Sequence, residues 1–337
     1  TKEAFECYEK MRQLDVTPDS FAFVALIKAC TSKHCLLQMH AHLIECGLEL
    51  NMFIGCSLIN MYATCFCLSE SCILFDKMTM RNVVVWNAII TGYVKCECIS
   101  DALVALGKMR LQHVDPDEVT FICILKGCAS IANYNAGREV HAYAIENGLV
   151  LNVAVGNSLI DMYSKCGCIE DADKVFQGMA IRSDVSWNTM ITAYTEHGKC
   201  DLSIKLFHKM GENGTFRDNV SMATTLKACS SSRALQDGRL IHDYVSKIAM
   251  QSDIMVHNTL IDMYANCGEL DDAFNIFDRK LPRDLVSWNA IIGGYTQHGH
   301  PQDALVLFSE MIQDTHVNVD KITFSSILNS CADLRAI

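Results

Sequence analysis

Apolar residues recur along this chain with the spacing of a helix face. After Trp86 they stand at Ala88, Ile89, Ile90, Tyr93 and Val94, and after a short break at Ala102, Leu103, Leu106 and Met109. A half-buried strand would instead alternate apolar and polar residues at every second position. The pattern therefore predicts two helices joined by a short turn.

The predicted turn carries residues that end one helix and start another. Glycine occurs at the same point of four such segments, at Gly167, Gly198, Gly268 and Gly299. Glycine enters the left-handed conformation that closes a helix without a steric penalty. Phe66 and Glu97 replace it in two segments, so we expect less regular turns there.

The helix pairs repeat at a fixed period. Trp86, Trp187 and Trp288 are 101 residues apart, and each is followed by Asn and an apolar run. Self-similarity at a fixed period means that each unit buries its apolar face against its neighbours. The sequence therefore predicts an all-α fold, an α-solenoid of helix-turn-helix repeats.

Each period divides into units of 35, 35 and 31 residues. The complete repeats are 20–51, 52–82, 83–117, 118–152, 153–183, 184–218, 219–253, 254–284 and 285–320. Partial repeats occupy 1–19 and 321–337, so the whole chain, 1–337, is predicted to be a single solenoid. No segment is left over for a catalytic domain, and we predict that the chain is not an enzyme.

The charge balance weighs against nucleic acid as a partner. The chain has 28 Lys and Arg residues against 39 Asp and Glu residues, a formal net charge of −11. Release of counterions by Lys and Arg supplies most non-specific affinity for nucleic acid. On charge alone, a solenoid that binds proteins is favoured. The W-x-x-L-G-x-x-Y signature of tetratricopeptide repeats is absent, however, which argues against that type of scaffold.

Motifs of metal, cofactor and membrane chemistry are missing from the sequence. The 18 cysteines include no C-x-x-C pair, and no His stands two residues before a Glu, as in zinc deaminases. Glycine-rich phosphate-binding loops are also absent. No apolar run approaches the ~20 residues of a membrane helix. We therefore expect no metal site, no cofactor, no structural disulfide and no membrane partner.

The segments that open the repeats resemble a known family. Val-Val-Val-Trp-Asn (83–87), Asp-Val-Ser-Trp-Asn (184–188) and Leu-Val-Ser-Trp-Asn (285–289) open the first unit of each period. A short unit carries Gly-Asn-Ser-Leu-Ile-Asp-Met-Tyr-Ser-Lys-Cys-Gly (156–167), and a middle unit carries Ile-Leu-Lys-Gly-Cys-Ala (124–129). With the three unit lengths, these motifs resemble the PLS subclass of pentatricopeptide repeat (PPR) proteins over the whole chain.

The resemblance implies both a shape and a function. Such chains form a right-handed superhelix of helix pairs that binds single-stranded RNA, one nucleotide per repeat, in a chloroplast or mitochondrion. Most often they are the targeting half of a cytidine-to-uridine RNA-editing factor. The implied partners are small editing cofactor proteins and a deaminase-type domain in cis or in trans, and the targeting peptide is expected outside this chain. A protein-binding scaffold, and organellar RNA processing or stabilisation without editing, are the alternatives.

The resemblance also assigns base-reading residues. The family reads a base with the Asn that follows the aromatic residue or glycine near the repeat start, together with the last residue of the same repeat. The matching pairs are Asn87 with Asp117, Asn157 with Ser183, Asn188 with Asp218, Asn258 with Asp284, and Asn289 with Asp320. An amide offers a donor and an acceptor to a base edge. A structural hydrogen-bond ladder between stacked helices is the alternative role for these Asn residues.

In the family, an Asn–Asp pair is associated with uridine and an Asn–Ser pair with cytidine. From residue 83 onward the implied preference is therefore U-x-C-U-x-U-U, in which x is any base. The x positions belong to the middle repeats, which carry the apolar Val24, Ile122 and Ala223 in place of a reader. In the repeat 52–82, Cys56 replaces the Asn, so no preference is assigned to it.

Two further groups of residues match the family pattern. Val84, Val185 and Val286 match an apolar residue that clamps the faces of the bases, although core packing is a competing role. Lys95 and Lys165 match a lysine that reaches phosphate.

Overall fold

The chain forms helices throughout the part that the computed structural model describes, residues 2–14, 16, 18–30, 32–248, 250, 253–279, 283–313 and 317–335. Twenty α-helices and no strand lie within these ranges. The helices that open the repeats are α2 (Ser20–Ala29), α4 (Met52–Thr64), α6 (Val83–Lys95), α8 (Glu118–Ser130), α10 (Val153–Lys165), α12 (Asp184–Glu196), α14 (Asn219–Ser232), α16 (Ile254–Asn266), α18 (Leu285–Gln297) and α20 (Lys321–Arg335). The second helices are α1 (Lys2–Gln13), α3 (Lys33–Glu45), α5 (Leu68–Lys77), α7 (Ile99–Leu111), α9 (Tyr134–Glu146), α11 (Ile169–Gly178), α13 (Cys200–Glu212), α15 (Leu235–Lys247), α17 (Leu270–Phe277) and α19 (Pro301–Gln313). None of these helices has the length and apolar character needed to cross a membrane.

Two compact units make up the chain, Thr1–Ala180 and Ile181–Ile337. In the first unit the opening helices stack in order, α2 on α4, α4 on α6, α6 on α8 and α8 on α10. In the second unit α12, α14, α16, α18 and α20 stack in the same way. From α5 onward, each second helix packs against the opening helix of its own repeat, as α7 does against α6 and α13 against α12. Each unit is therefore a two-layered stack of helix hairpins, and the predicted all-α solenoid is confirmed.

The tryptophans that mark the period lie in the core between hairpins. Trp86 and Trp288 are each only 1% exposed. Their rings meet the edges of Phe75 and Phe277, at centroid distances of 4.8 and 4.7 Å. Edge-to-face contacts of this kind add to the free energy gained by burying the rings. Since each Phe belongs to the preceding hairpin, the contact joins one repeat to the next.

The interhelical turns that lack glycine keep the same geometry as those that have it. Phe66 and Glu97 adopt the left-handed conformation with φ of 56° and 59°, against 77° for Gly167. The closing hydrogen bond is also retained, since the N–H of Cys67 donates to a carbonyl oxygen in the last turn of α4 at 2.8 Å. The expectation of less regular turns is therefore wrong. A left-handed non-glycine residue costs roughly 1–2 kcal/mol, and the packing of the two helices outweighs that cost.

Candidate nucleic-acid interface

The last residue of each repeat holds the start of the next helix. Asp117, Asp218 and Asp284 accept a hydrogen bond from the backbone N–H three residues ahead, at 2.9, 2.8 and 2.8 Å. Ser183 accepts the equivalent bond from Ser186 at 3.3 Å. Asp and Ser are favoured at this N-cap position because they satisfy a backbone donor that the helix leaves unpaired. Helix capping therefore fixes the place of the second residue in each predicted pair.

Four of the predicted Asn residues contact the carboxylate that ends their own repeat. The amide Nδ2 donates to the carboxylate in Asn87–Asp117 at 2.9 Å, Asn188–Asp218 at 2.8 Å, Asn258–Asp284 at 3.0 Å and Asn289–Asp320 at 3.2 Å. An ionised carboxylate can only accept, so the amide nitrogen must face it. The structure thus brings these predicted pairs together and defines which end of each amide meets the carboxylate.

The fifth predicted pair is divided between the two units. Asn157 lies half-buried on α10 in the first unit. Its Oδ1 is buried and has no hydrogen-bond partner among the described residues. Ser183 is the N-cap of α12 in the second unit. Their joint role in reading a base stays a prediction.

Hydrogen bonds hold the carboxylates of Asp117 and Asp320 in the ionised form. Burial by itself would raise the pKa of Asp117, but hydrogen bonds from the Asn87 amide and from Thr120 outweigh it and lower the pKa. The backbone N–H of Thr323 is the main cause that lowers the pKa of Asp320, and the Asn289 amide adds to it. Both groups therefore stay anionic acceptors at neutral pH.

A groove of about 550 Å³ opens over the opening helices of the second unit. Asn258, Asn289 and Asp320 line it together with the apolar side chains of Val286 and Ile322. A concave surface that combines a few oriented polar groups with apolar walls is typical of a ligand site. The groove thus gathers predicted readers from two repeats and one predicted clamp.

An exposed apolar residue occupies the second position of every opening helix. The predicted clamps Val84, Val185 and Val286 are 55%, 54% and 58% exposed, which excludes core packing as their role. The same position in the middle and short repeats holds Phe21, Phe53, Val119, Ala154, Val220, Met255 and Ile322, all exposed. Sequence reasoning missed these residues, although their identical offset from each repeat start was a signal. Within each unit these exposed apolar side chains form a row along the stacked opening helices, and an exposed apolar surface of this kind is typical of an interaction site.

The two lysines predicted to reach phosphate are exposed but already have partners. Lys95 Nζ donates to the hydroxyl of Thr64 at 2.8 Å. Lys165 Nζ lies 3.1 Å from a carboxylate oxygen of Asp161, one turn earlier on the same helix. A phosphate would have to compete with these contacts, so both positions remain predictions.

The middle repeats show no polar group at the reader position. Ala223 is buried, with 7% exposure, and cannot reach a base edge. In the same repeat, Nδ2 of Asn219 donates to the carboxylate of Asp253 at 2.9 Å. The amide that contacts the last residue of this repeat therefore belongs to its first residue and not to its reader position. This pair was not predicted, because the family pattern places the reader four residues later.

Comparison with known proteins explains the repeated geometry. Residues 81–130, 182–231 and 283–333 match the PPR repeat family, and residues 157–182 and 255–280 match the PPR repeat. The chain belongs to the pentatricopeptide repeat family. The PLS subclass remains an expectation from the unit lengths.

Relatives of this pentatricopeptide repeat chain occur in both organelles of Arabidopsis thaliana. A chloroplastic pentatricopeptide repeat-containing protein is 35% identical over 335 residues, 98% of this chain and 41% of the relative. A mitochondrial one is 34% identical over 339 residues, 94% of this chain and 37% of the relative. The chain thus spans about two-fifths of the length of these curated relatives. Their locations agree with the organellar location that the resemblance implied.

The fold is shared with a pentatricopeptide repeat protein of known structure, PPR10. The crystal structure of PPR10 in complex with an 18-nt psaJ RNA element has a TM-score of 0.71 with 17% sequence identity. The match covers 99% of this chain and 50% of PPR10. At this identity the likeness concerns the fold alone.

Proposed function

We propose that this chain binds single-stranded RNA and that its Asn–Asp repeats each read one uridine. The observation that carries the proposal is the recurrence of the amide–carboxylate pair at the same position of four opening helices, α6, α12, α16 and α18, at 2.8 to 3.2 Å. A structural ladder would need only hydrogen bonds between helices. It would not require the row of exposed apolar residues that runs beside the pairs.

The pair suits the edge of uracil. One N–H of the Asn amide is committed to the carboxylate, and the second N–H remains to donate to a base carbonyl. The anionic oxygen of the Asp carboxylate beside it can accept a hydrogen bond from an N–H of the base. Uracil presents a carbonyl oxygen next to the N3–H donor, whereas N3 of cytosine is an acceptor. Exposed Val, Ile and Met side chains offer apolar surfaces for the faces of unstacked bases.

The known proteins support this proposal at the level of the family. The fold neighbour PPR10 was crystallised with RNA, and PPR10 and this chain share the helix-hairpin solenoid. Because charge is unfavourable overall, affinity must come from base-edge contacts and stacking more than from counterion release.

For the parent protein, we propose a role in targeting cytidine-to-uridine editing in a chloroplast or mitochondrion. In that role this chain recognises the target RNA sequence, with the preference U-x-C-U-x-U-U from residue 83. Small editing cofactor proteins and a deaminase-type domain supply the remaining parts. The chain itself is proposed to be non-catalytic.

A base-substitution series tests the RNA reading. Starting from an RNA that carries the proposed order, each base is changed in turn and affinity is measured at one salt concentration. Replacing a uridine opposite the repeats 184–218 or 254–284 is expected to cost ~1–3 kcal/mol, roughly tenfold or more. Changing the base opposite the middle repeat 219–253 is expected to alter affinity less than about threefold, because Ala223 offers no hydrogen bond.

Three results would contradict the proposal. Equal affinity for all RNAs in the series would show that the repeats do not discriminate between bases. A large loss at the middle repeat would show that the alignment of RNA and repeats is wrong. Absence of RNA binding altogether would favour a protein-binding scaffold.

A further inference from the structure

The middle repeats place a lysine one helical turn beyond their apolar reader position. Lys28, Lys126 and Lys227 each stand four residues after that position. Four residues is about one turn, so each lysine lies on the helix face that carries the readers in other repeats. The equivalent residues of the first and short repeats are not basic: Asn60, Thr91, Asp161, Thr192, Asp262 and Gly293.

Lys227 lies in the groove of the second unit. It lines the same cavity as Asn258, Asn289 and Asp320. Its side chain and that of Lys126 are exposed, and no described residue forms an ion pair or hydrogen bond with either. Their ammonium groups are therefore available, in contrast to those of the two lysines predicted to reach phosphate.

The two carboxylates that line the groove, Asp262 and Asp320, accept hydrogen bonds from other groups. Asp262 accepts from the Ser230 hydroxyl at 2.8 Å and from the Asn266 amide at 2.9 Å. Asp320 accepts from Asn289 at 3.2 Å. Lys227 thus lies beside the predicted base-reading pairs and forms no ion pair with a described residue. A flexible ammonium is suited to a phosphate, whose position along an RNA strand does not depend on the base.

We propose that Lys126 and Lys227 bind RNA phosphates, so that the middle repeats hold the backbone where the neighbouring repeats read bases. This inference rests on the proposed RNA binding. It assigns a direct contact with RNA to the middle repeats, which carry an apolar residue in place of a reader. It also provides local cations to a chain whose net charge is −11.

Salt dependence tests the phosphate contacts. Affinity is measured between 50 and 300 mM salt for the wild type, Lys126→Gln and Lys227→Gln. Each variant should lower the slope of log affinity against log salt by about 0.7, the value for one phosphate contact on a single strand. At low salt each should bind three- to tenfold more weakly, by the same factor whichever base lies opposite the repeat.

Matched variants make this result specific. Lys205→Gln removes an exposed lysine of α13, on a second helix, and should change neither slope nor affinity. Asn329 occupies the equivalent position in α20, so Asn329→Lys should raise the slope by about 0.7. If the wild type binds RNA but Lys126→Gln and Lys227→Gln have the same affinity and salt slope as Lys205→Gln, the phosphate role is overturned and the proposed function is not. Failure of the wild type to bind RNA would instead overturn the proposed function.

A second inference comes from the hydroxyl group that follows each Asn–Asp pair. Thr120 and Thr323 each place Oγ1 2.6 Å from the Oδ1 of the preceding reader, Asn87 and Asn289 respectively. The amide is thereby held at both ends, by a carboxylate at its nitrogen and by a hydroxyl at its oxygen. Since the threonine is the third residue of the next repeat, it lies outside the repeat that it adjusts.

Serine at the same position behaves differently. The Ser221 and Ser287 hydroxyls donate to the backbone carbonyls of Asp218 and Asp284, at 2.9 and 2.8 Å. The Oδ1 atoms of Asn188 and Asn258 are then buried without a hydrogen-bond partner among the described residues. These amides are held at the nitrogen only.

We infer that threonine in this position is a positioning residue that sharpens base discrimination by fixing the reader amide. Because the Oδ1 atoms of Asn188 and Asn258 are buried, this oxygen points away from the RNA side, and the added bond does not compete with a base. A fixed amide has less freedom to turn its oxygen toward a mismatched base. This inference also rests on the proposed reading of uridine.

Reciprocal substitutions test it. Thr120→Ser should lower the ratio of affinities for uridine and cytidine opposite the repeat 83–117 by two- to fivefold. Ser221→Thr should raise that ratio for the repeat 184–218 by the same factor. Both variants retain the helix cap. Because Thr120 and Ser221 are fully buried, the methyl group that is lost or gained also changes packing. Thermal unfolding is therefore measured alongside, and the ratio of affinities cancels a loss of stability that is common to both RNAs. Unchanged ratios in a wild type that prefers uridine would overturn the positioning role, whereas a wild type without that preference would overturn the proposed reading.

Discussion

Replacing Asp284 by Ser is expected to convert the repeat 254–284 from a uridine to a cytidine preference. Asp284 holds the Asn258 amide nitrogen at 3.0 and 3.1 Å, and its ionised form can only accept. A serine both donates and accepts, so it releases the amide to present its oxygen to the amino group of cytosine. A switched edge contact is worth ~1–3 kcal/mol, roughly a tenfold or greater change in the ratio of affinities.

The measurement compares two RNAs that differ only at the base opposite this repeat. The substitution keeps a helix cap, since Ser183 already caps α12 in this chain through Ser186. Its thermal unfolding should therefore match the wild type. The neighbouring repeat 285–320 is the internal control, because its preference should not move. Equal ratios in wild type and variant would show that Asp284 takes no part in reading the base.

Removing the Trp288 side chain is expected to destabilise the second unit by ~3–5 kcal/mol, the usual cost of truncating a buried Trp to Ala. Trp288 is 1% exposed and packs its ring against Phe277. The guanidinium of Arg283 lies 4.6 Å from the Phe277 ring and 5.6 Å from the Trp288 ring. The alanine variant therefore loses apolar area, the ring contact and part of a cation–π cluster at the junction of two repeats.

Trp288→Phe should lower the free energy of unfolding by much less than the loss of buried apolar area suggests. The indole Nε1 of Trp288 is buried and has no hydrogen-bond partner among the described residues. Phenylalanine removes that unsatisfied donor, which recovers part of the roughly 1–3 kcal/mol that such a group costs. Urea unfolding of the wild type and both variants gives the comparison. A phenylalanine variant as unstable as the alanine variant would mean that Nε1 is hydrogen-bonded after all.

The helices and the places of the proposed readers could be predicted from the sequence. Apolar residues at helical spacing determine the hairpins, and the period of the tryptophans places Asn87, Asn188 and Asn289 at equivalent points of their opening helices. Within each unit, equivalent points on stacked helices must fall into one row, whatever the details of side-chain packing.

Side-chain contacts between neighbouring repeats could not be predicted from the spacing of apolar residues or from the period. Thr120 and Ser221 look interchangeable in sequence, yet one hydroxyl donates to a side-chain amide and the other to a backbone carbonyl. The choice depends on the rotamer that the added methyl group permits. Lys227 was overlooked for a related reason, because its place in the groove follows from how α14 stacks on α16.

Because the residue that ends each repeat is also the N-cap of the next helix, folding restricts which specificities can evolve. The N-caps of the described opening helices are Asp19, Asn51, Asn82, Asp117, Asn152, Ser183, Asp218, Asp253, Asp284 and Asp320, all drawn from three residue types. A residue unable to cap would cost about 0.5–2 kcal/mol at every repeat that used it. Exchange among Asp, Asn and Ser avoids that penalty. Under the proposed reading of one base per repeat, a change of RNA target can therefore accumulate one repeat at a time through substitutions that are nearly neutral for stability.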